Sequence, residues 1–137
     1  MKDIDIISGD VVSVAVQMHR DLGPGLLESV YETVLAAKLV KMGYKVDRQR
    51  PIDIQFEDLH FSGAFRADLM IYDRLIVEVK CVEQLNRAHA KQLLTYLRLT
   101  KQPVGLLLNF AGETMKEGIR RLVNNHSAPS APLRDQN

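Results

Sequence analysis

Residues 65–80 read FRADLMIYDRLIVEVK, and this stretch decides the fold. Two short apolar runs flank a turn at residues 73–74, a pattern that predicts a β-hairpin. Asp68 lies in the first run, and Glu78 and Lys80 lie in the second. Because side chains alternate along a strand, Glu78 and Lys80 share one face. Three charged residues in strands this apolar indicate a chemical role.

The length of the hairpin loop decides whether Asp68 meets Glu78. A three-residue loop, residues 72–74, places the two carboxylates directly across from each other, whereas a two-residue loop puts them on opposite faces. The odd loop is predicted because it leaves one face wholly apolar. The mixed face then holds Arg66, Asp68, Met70, Ile76, Glu78 and Lys80. The apolar face, predicted as core, holds Ala67, Leu69, Ile71, Leu75, Val77 and Val79.

Two carboxylates beside an ammonium suit metal-assisted hydrolysis of a phosphodiester. Mg²⁺ takes hard oxygen ligands and keeps several waters, so Asp68, Glu78 and the Val79 backbone carbonyl would be sufficient protein ligands. Lys80 could orient the attacking water or stabilise the developing charge. The alternative is an ion pair on a half-exposed strand face, and spacing alone leaves the two interpretations evenly balanced.

Composition describes an ordinary globular chain. With 137 residues, 46% of them hydrophobic, it can bury one core, and we predict a single domain over residues 1–125. The Pro/Ser-rich stretch at residues 126–137 predicts a disordered polar tail. No apolar run could span a membrane and no signal peptide is evident, so we expect a cytoplasmic protein.

A formal net charge of +1 gives little general attraction to a polyanion. Any binding of nucleic acid would depend on a local basic patch, for which Arg66 on the hairpin is one candidate. Solvated surface charge is the alternative for any single cation.

Periodicity along the chain predicts an α/β (α+β) fold in the order ααββββαβα, with one sheet flanked by helices. The predicted helices cover residues 8–22, 26–42, 86–101 and 114–124. The predicted strands begin with residues 45–48, 52–56 and 59–62, the last leading into the hairpin, and end with the apolar run VGLLLNF at 104–110. That unbroken run indicates a central or parallel strand. Pro51 indicates a kink or a sheet edge.

Several linked motifs resemble one family. Residues 25–31, GLLESVY, match the pattern G-x-x-E-x-x-Y, and the likeness continues through HRDLGPGLLESVYE, FRADL, IVEVK, QLLTYLRLT and VGLLLNF. Over residues 5–123 the chain resembles the GxxExxY proteins, a family placed in the PD-(D/E)XK nuclease superfamily. The resemblance implies a mixed sheet flanked by helices, with Asp68, Glu78 and Lys80 as the D, E and K. Ala67 stands where the superfamily often has proline.

The same resemblance implies roles for residues on two helices. Glu28 would be a fourth catalytic residue beside Asp68, Glu78 and Lys80, and it would reach the metal directly or through water. Tyr31, one turn later on the same helix, would point in the same direction as Glu28. Gln92 and Tyr96 resemble a Q-x-x-x-Y pair that contacts DNA or frames the metal, with His89 beside them. The alternatives are a first-turn acid at Glu28 and ordinary surface or structural roles for Gln92, Tyr96 and His89.

The sequence thus predicts a Mg²⁺-dependent nuclease acting on DNA, with Mn²⁺ able to replace Mg²⁺. The alternative is a non-catalytic nucleic-acid-binding or assembly module that retains the nuclease fold. Hydrolysis of another phosphoester is a third interpretation. Because so small a chain has little surface for reading sequence, a homodimer or a partner protein could supply specificity.

Overall fold

One mixed five-stranded sheet carries helices on both faces. The computed structural model describes residues 2–125. Its elements are α1 (Ile4–Leu22), α2 (Glu28–Lys41), β1 (Val46–Phe56), β2 (Leu59–Ile71), β3 (Leu75–Lys80), α3 (Arg87–Thr100), β4 (Val104–Asn109) and β5 (Ile119–Val123). The strands lie in the order β1-β2-β3-β4-β5, parallel only between β3 and β4. The predicted class, an α+β fold with a mixed sheet, is confirmed.

The predicted order ααββββαβα is wrong in two places, and one is the last element. Residues 119–123 form β5 rather than a helix capped by Thr114. Pairing with the fully buried β4 decides their conformation, because a strand partner outweighs the weak helical preference of so short a segment. Gly118 permits the approach, since a Cβ there would lie 2.2 Å from the Asn109 carbonyl oxygen.

The other difference lies at β1, where the two predicted strands at 45–48 and 52–56 form one. Pro51 interrupts no ladder because β1 is an edge strand, as its position predicted. The central, parallel position predicted for β4 is also confirmed. The predicted tail at 126–137 lies outside the described residues.

The core has two parts, one on each face of the sheet. Helices α1 and α2 pack with β2, β3 and β4 in the larger part, and α3 covers the smaller. On α2, Leu35 and Leu39 are buried, while Leu27, the residue before the helix, is 73% exposed. Helix α1 begins before the predicted Ser8, since Asp3 caps it by accepting from Asp5 N. Within residues 2–125, no helix is long and apolar enough to cross a bilayer.

The hairpin has the predicted odd loop. Leu69 pairs with Val77 and Ile71 with Leu75, so residues 72–74 form the turn. Tyr72 and Asp73 take φ angles of 53° and 59°, in the left-handed region. This register aligns Asp68 with Glu78.

The predicted faces hold only as far as Leu69. Ala67 leaves the face of Leu69 and packs with Met70 and Ile76 in the smaller part of the core. The change of face occurs opposite an irregular point of β1, where Gln49 has φ 50° and no ladder pair with Asp68. Alternation of side chains is interrupted there. Arg66, next to Ala67, is therefore carried away from the predicted mixed face.

Candidate active site

Asp68 and Glu78 bridge the gap where β2 and β3 separate. The ladder ends at the Leu69–Val77 pair. Beyond it, the Asp68 backbone N–H donates to Glu78 Oε2 at 3.0 Å, and the Val79 N–H donates to Asp68 Oδ2 at 2.8 Å. The two carboxylates therefore stand where backbone carbonyls would accept in a regular sheet, and the predicted juxtaposition is confirmed.

Negative charge is concentrated around Glu78. This side chain is buried, and burial raises its pKa to about 7, with the charges of Asp68 and, less strongly, Glu28 acting in the same direction. The Asp68 N–H and the Lys80 ammonium oppose that shift. None of the ion pairs formed within residues 2–125 involves any of these four residues. The cluster is thus short of positive charge.

Glu28 joins this cluster from α2. It is the first residue of the helix, and its Oε2 accepts from the Cys81 N–H at 3.0 Å. The contact brings the start of α2 to the end of β3. Burial raises the pKa of the Cys81 thiol, and the Glu28 charge adds to the effect. Glu28 therefore does more than stabilise the first turn of its own helix.

The Val79 carbonyl is directed toward the same gap. In a strand, the N–H and C=O of one residue point to the same neighbouring strand, and the next residue points to the other. The Lys80 carbonyl accepts from Phe110 N on the β4 side, and the Val79 N–H donates to Asp68 on the β2 side. The Val79 carbonyl consequently faces β2.

Tyr96 reaches the cluster from α3. Its ring stacks on Phe65 with centroids 3.6 Å apart and an interplanar angle of 4°. Burial raises the pKa of the Tyr96 hydroxyl, and the Glu78 charge adds to it. One ring face is thus covered while the hydroxyl is close enough to sense Glu78. Gln92, one turn earlier, is exposed.

Tyr31 is placed differently from its prediction. It is fully buried, stacks on Phe110 with centroids 4.7 Å apart, and donates from its hydroxyl to the Gly23 carbonyl at 2.6 Å. The same oxygen accepts from Leu26 N at 3.2 Å. Tyr31 fixes the turn before α2 and has no surface left for nucleic acid, so we leave it out of the contacts proposed below.

His89 lies at the start of α3, and Arg66 lies on β2. His89 completes a capping box at the start of α3, its Nδ1 accepting from Asn86 N at 3.1 Å. The neutral ring therefore carries its proton on Nε2. His89 also lines a groove of about 950 Å³ with Arg87 and Arg120. Arg66 is exposed on the opposite side of β2 from the one predicted.

Sequence reasoning missed a neighbouring polar network. Gln49 donates to Asp68 Oδ1 at 3.3 Å and to Glu32 Oε1 at 2.6 Å, and Arg48 forms an ion pair with Glu32 at 3.0 Å. Glu32 lies one turn after Glu28 on α2, but it is buried. A polar run on an edge strand gives no sign of such contacts, because they depend on the irregular backbone at Gln49.

The residues present fit a hard divalent cation by chemistry and by charge. Three carboxylates, one buried and with a raised pKa, lie within electrostatic reach of one another beside a backbone carbonyl, and Mg²⁺ and Mn²⁺ take such oxygen ligands. Within residues 2–125, no three acidic, histidine or cysteine side chains form a ready-made metal cage. Glu28 and Glu78 would have to turn from the amides that they now accept from, whereas each Asp68 oxygen keeps a second lone pair for the ion beside the N–H that it accepts from.

Comparison with protein-family models identifies a superfamily. The model of the PD-(D/E)XK nuclease superfamily matches residues 5–122, which include α2, α3, β1 to β4 and all but the last residue of β5. Searches of curated proteins and of solved structures found no significant match.

Proposed function

Because the chain belongs to the PD-(D/E)XK nuclease superfamily, we propose that it is a metal-dependent nuclease that hydrolyses phosphodiester bonds in DNA. The observation that carries the proposal is the carboxylate cluster at the open end of the hairpin. Glu78 is held there with a pKa of about 7 beside Asp68 and Glu28. A divalent cation would relieve the repulsion among these carboxylates. Membership of the GxxExxY family and a cytoplasmic location belong to the same proposal.

Asp68, Glu78, the Val79 carbonyl and Glu28 would hold the ion, with Glu28 able to act through water. The ion would be Mg²⁺, replaceable by Mn²⁺, and when bound it would lower the pKa of a water and offset charge on the phosphate. Asp68 and Glu78 are presented by strands that have separated, so their carboxylates face the gap rather than a ladder.

Lys80 would act on the reacting groups from the strand that carries Glu78. Its ammonium already lowers the Glu78 pKa, which shows that it lies within electrostatic reach of the cluster. A cation at that position can orient a water or stabilise charge on the phosphate oxygens.

DNA would be contacted by residues around α3. The Tyr96 hydroxyl and the exposed Gln92 side chain would meet the strand near the cluster, and the His89 Nε2–H would donate to a phosphate oxygen farther along. Arg66 would serve from the other side of β2. A second copy of the chain or a partner protein would supply specificity.

A second function has one observation in its favour. The carboxylates are not gathered into a cage within the described chain, which suits a non-catalytic module that binds nucleic acid and retains the nuclease fold. Such a module would bind DNA equally well with and without a divalent ion.

Cleavage assays distinguish the two functions. Purified protein is incubated with single- and double-stranded DNA and RNA in Mg²⁺, Mn²⁺ or EDTA, beside Asp68→Ala and Lys80→Ala. We expect DNA cleavage that needs the ion and falls about 10³-fold in either variant. The matched control is Asp58→Ala, an exposed acid in the β1–β2 turn, which should cleave like the wild type. Cleavage that survives EDTA, or is equal in all four proteins, would exclude the proposed mechanism.

A further inference from the structure

We propose that Gln49 is a positioning residue that aims the Asp68 carboxylate by tying it to the buried Glu32 of α2. The inference rests on the proposed metal-dependent function, because it gives Asp68 a reason to be held in one orientation. It assigns a role to a residue and to a helix position that the carboxylate cluster itself does not include.

The backbone at Gln49 is the first observation. Its φ of 50° lies in the left-handed region, which is unfavourable for residues other than glycine, asparagine and aspartate. The flanking pairs, Arg48 with Leu69 and Arg50 with Ala67, are regular, so the irregularity is confined to the position opposite Asp68. An unfavourable conformation held at one point of a regular ladder is where a functional constraint is to be sought.

The consequence of that backbone is a change in side-chain direction. In a regular strand Arg48 and Gln49 would point to opposite faces. Here both reach Glu32, through Arg48 Nε at 3.1 Å and Gln49 Nε2 at 2.6 Å. The left-handed residue therefore turns the Gln49 amide to the α2 side, where Asp68 Oδ1 is also within reach at 3.3 Å.

Chemistry fixes the orientation of the amide. Both of its neighbours, Glu32 Oε1 and Asp68 Oδ1, are carboxylate oxygens that can only accept, so the NH₂ group must face them. Each of its two hydrogens then serves one carboxylate.

Glu32 is a fixed anchor for that amide. It is 6% exposed, and its second oxygen is occupied by the Arg48 guanidinium. Arg48 is held in turn by Thr33 Oγ1 at 2.9 Å. The chain of contacts runs from α2 through Gln49 to Asp68, so the helix that carries Glu28 also orients the strand carboxylate.

Asp68 is thereby held at both oxygens. Val79 N–H donates to Oδ2 and Gln49 donates to Oδ1, which fixes the plane of the carboxylate between β1 and β3. Without Gln49, Asp68 would retain one donor and rotate about it. Partners of this kind change metal affinity about 10- to 100-fold in known metal sites.

The test separates the effect of losing the Gln49 amide from the effect of removing backbone strain at that position. Gln49→Gly accepts the left-handed conformation without strain but removes the amide. The matched control is Lys101→Gly, since Lys101 has φ 58° at the end of α3 and makes no contact with the cluster. Mn²⁺ binding is measured by calorimetry and stability by thermal unfolding. We expect Gln49→Gly to bind Mn²⁺ at least about tenfold more weakly, and Lys101→Gly to bind it like the wild type. Equal Mn²⁺ affinity in all three proteins would overturn the proposal.

A second measurement needs no metal. The side-chain NH₂ signals of Gln49 are followed by ¹⁵N NMR in wild type, Asp68→Asn and Glu32→Gln. Both substitutions should shift those signals, because each removes a carboxylate that the amide serves. Signals unchanged by Asp68→Asn would overturn the proposal whatever the metal result. If both substitutions shift the Gln49 signals but the wild-type protein binds no Mn²⁺, the positioning of Asp68 is confirmed and the proposed nuclease function is contradicted.

Discussion

The two ends of the β2–β3 hairpin differ in what holds them together. Near the turn, residues 69–71 pair with residues 75–77 in a regular ladder, and both faces of this ladder are buried. At the other end, Asp68 and Glu78 exchange bonds from side chain to backbone, and Gln49 interrupts the alternation in β1. The closed end supplies stability and the open end carries the charged side chains of the candidate site, so changes at the two ends should affect different measurements.

The largest effect on stability is expected at the closed end. Leu69→Ala removes a fully buried side chain from the larger part of the core, and such truncations lower the free energy of unfolding by about 2–5 kcal/mol. Urea unfolding measures the loss. Leu27→Ala, at a 73% exposed position just before α2, is the control and should be nearly neutral. A small effect of Leu69→Ala would mean that the closed end is not the stable part of the hairpin.

The open end should instead destabilise the protein as pH rises. Burial and neighbouring charges raise the Glu78 pKa from an ordinary 4.5 to about 7, so the folded state keeps a proton that the unfolded state loses above pH 4.5. Stability contributed by the protonated carboxyl is complete below pH 4.5 and is lost as pH rises to 7. The shift corresponds to a loss on the order of 3 kcal/mol.

Glu78→Gln should remove that pH dependence, because the amide remains neutral. Urea unfolding in EDTA at pH 5 and pH 8 measures it, with the exposed Glu113→Gln as control. Added Mn²⁺ should recover stability in the wild type at pH 8 and recover less in Glu78→Gln. If the free energy of unfolding of the wild type and of Glu78→Gln changed in parallel with pH, the Glu78 pKa would not be raised in the folded state.

The sequence predicted the closed end well, because apolar alternation and loop parity are local properties. The odd loop, the central β4 and the edge position of Pro51 all followed from such patterns. What it could not predict depends on contacts between distant segments. Residues 119–123 form a strand by pairing with β4, Tyr31 packs in the core against Phe110, and Ala67 changes face opposite the irregular backbone of Gln49. The alignment of Asp68 with Glu78 was predictable, whereas their bonds to amides and the Gln49 contact were not.

The smallest effect is expected where α3 meets the open end. Phe65→Leu removes the ring that stacks on Tyr96 and retains an apolar side chain, so it should lower the free energy of unfolding by about 1 kcal/mol, the contribution of an aromatic pair. Its second consequence concerns the site. Tyr96 would lose the surface that holds its hydroxyl near Glu78, and the raised pKa of that hydroxyl should fall toward its ordinary value. Ultraviolet titration of the tyrosines, with Tyr96→Phe to identify the signal, measures the change. An unaltered Tyr96 titration would show that α3, rather than the open end of the hairpin, sets the position of the hydroxyl.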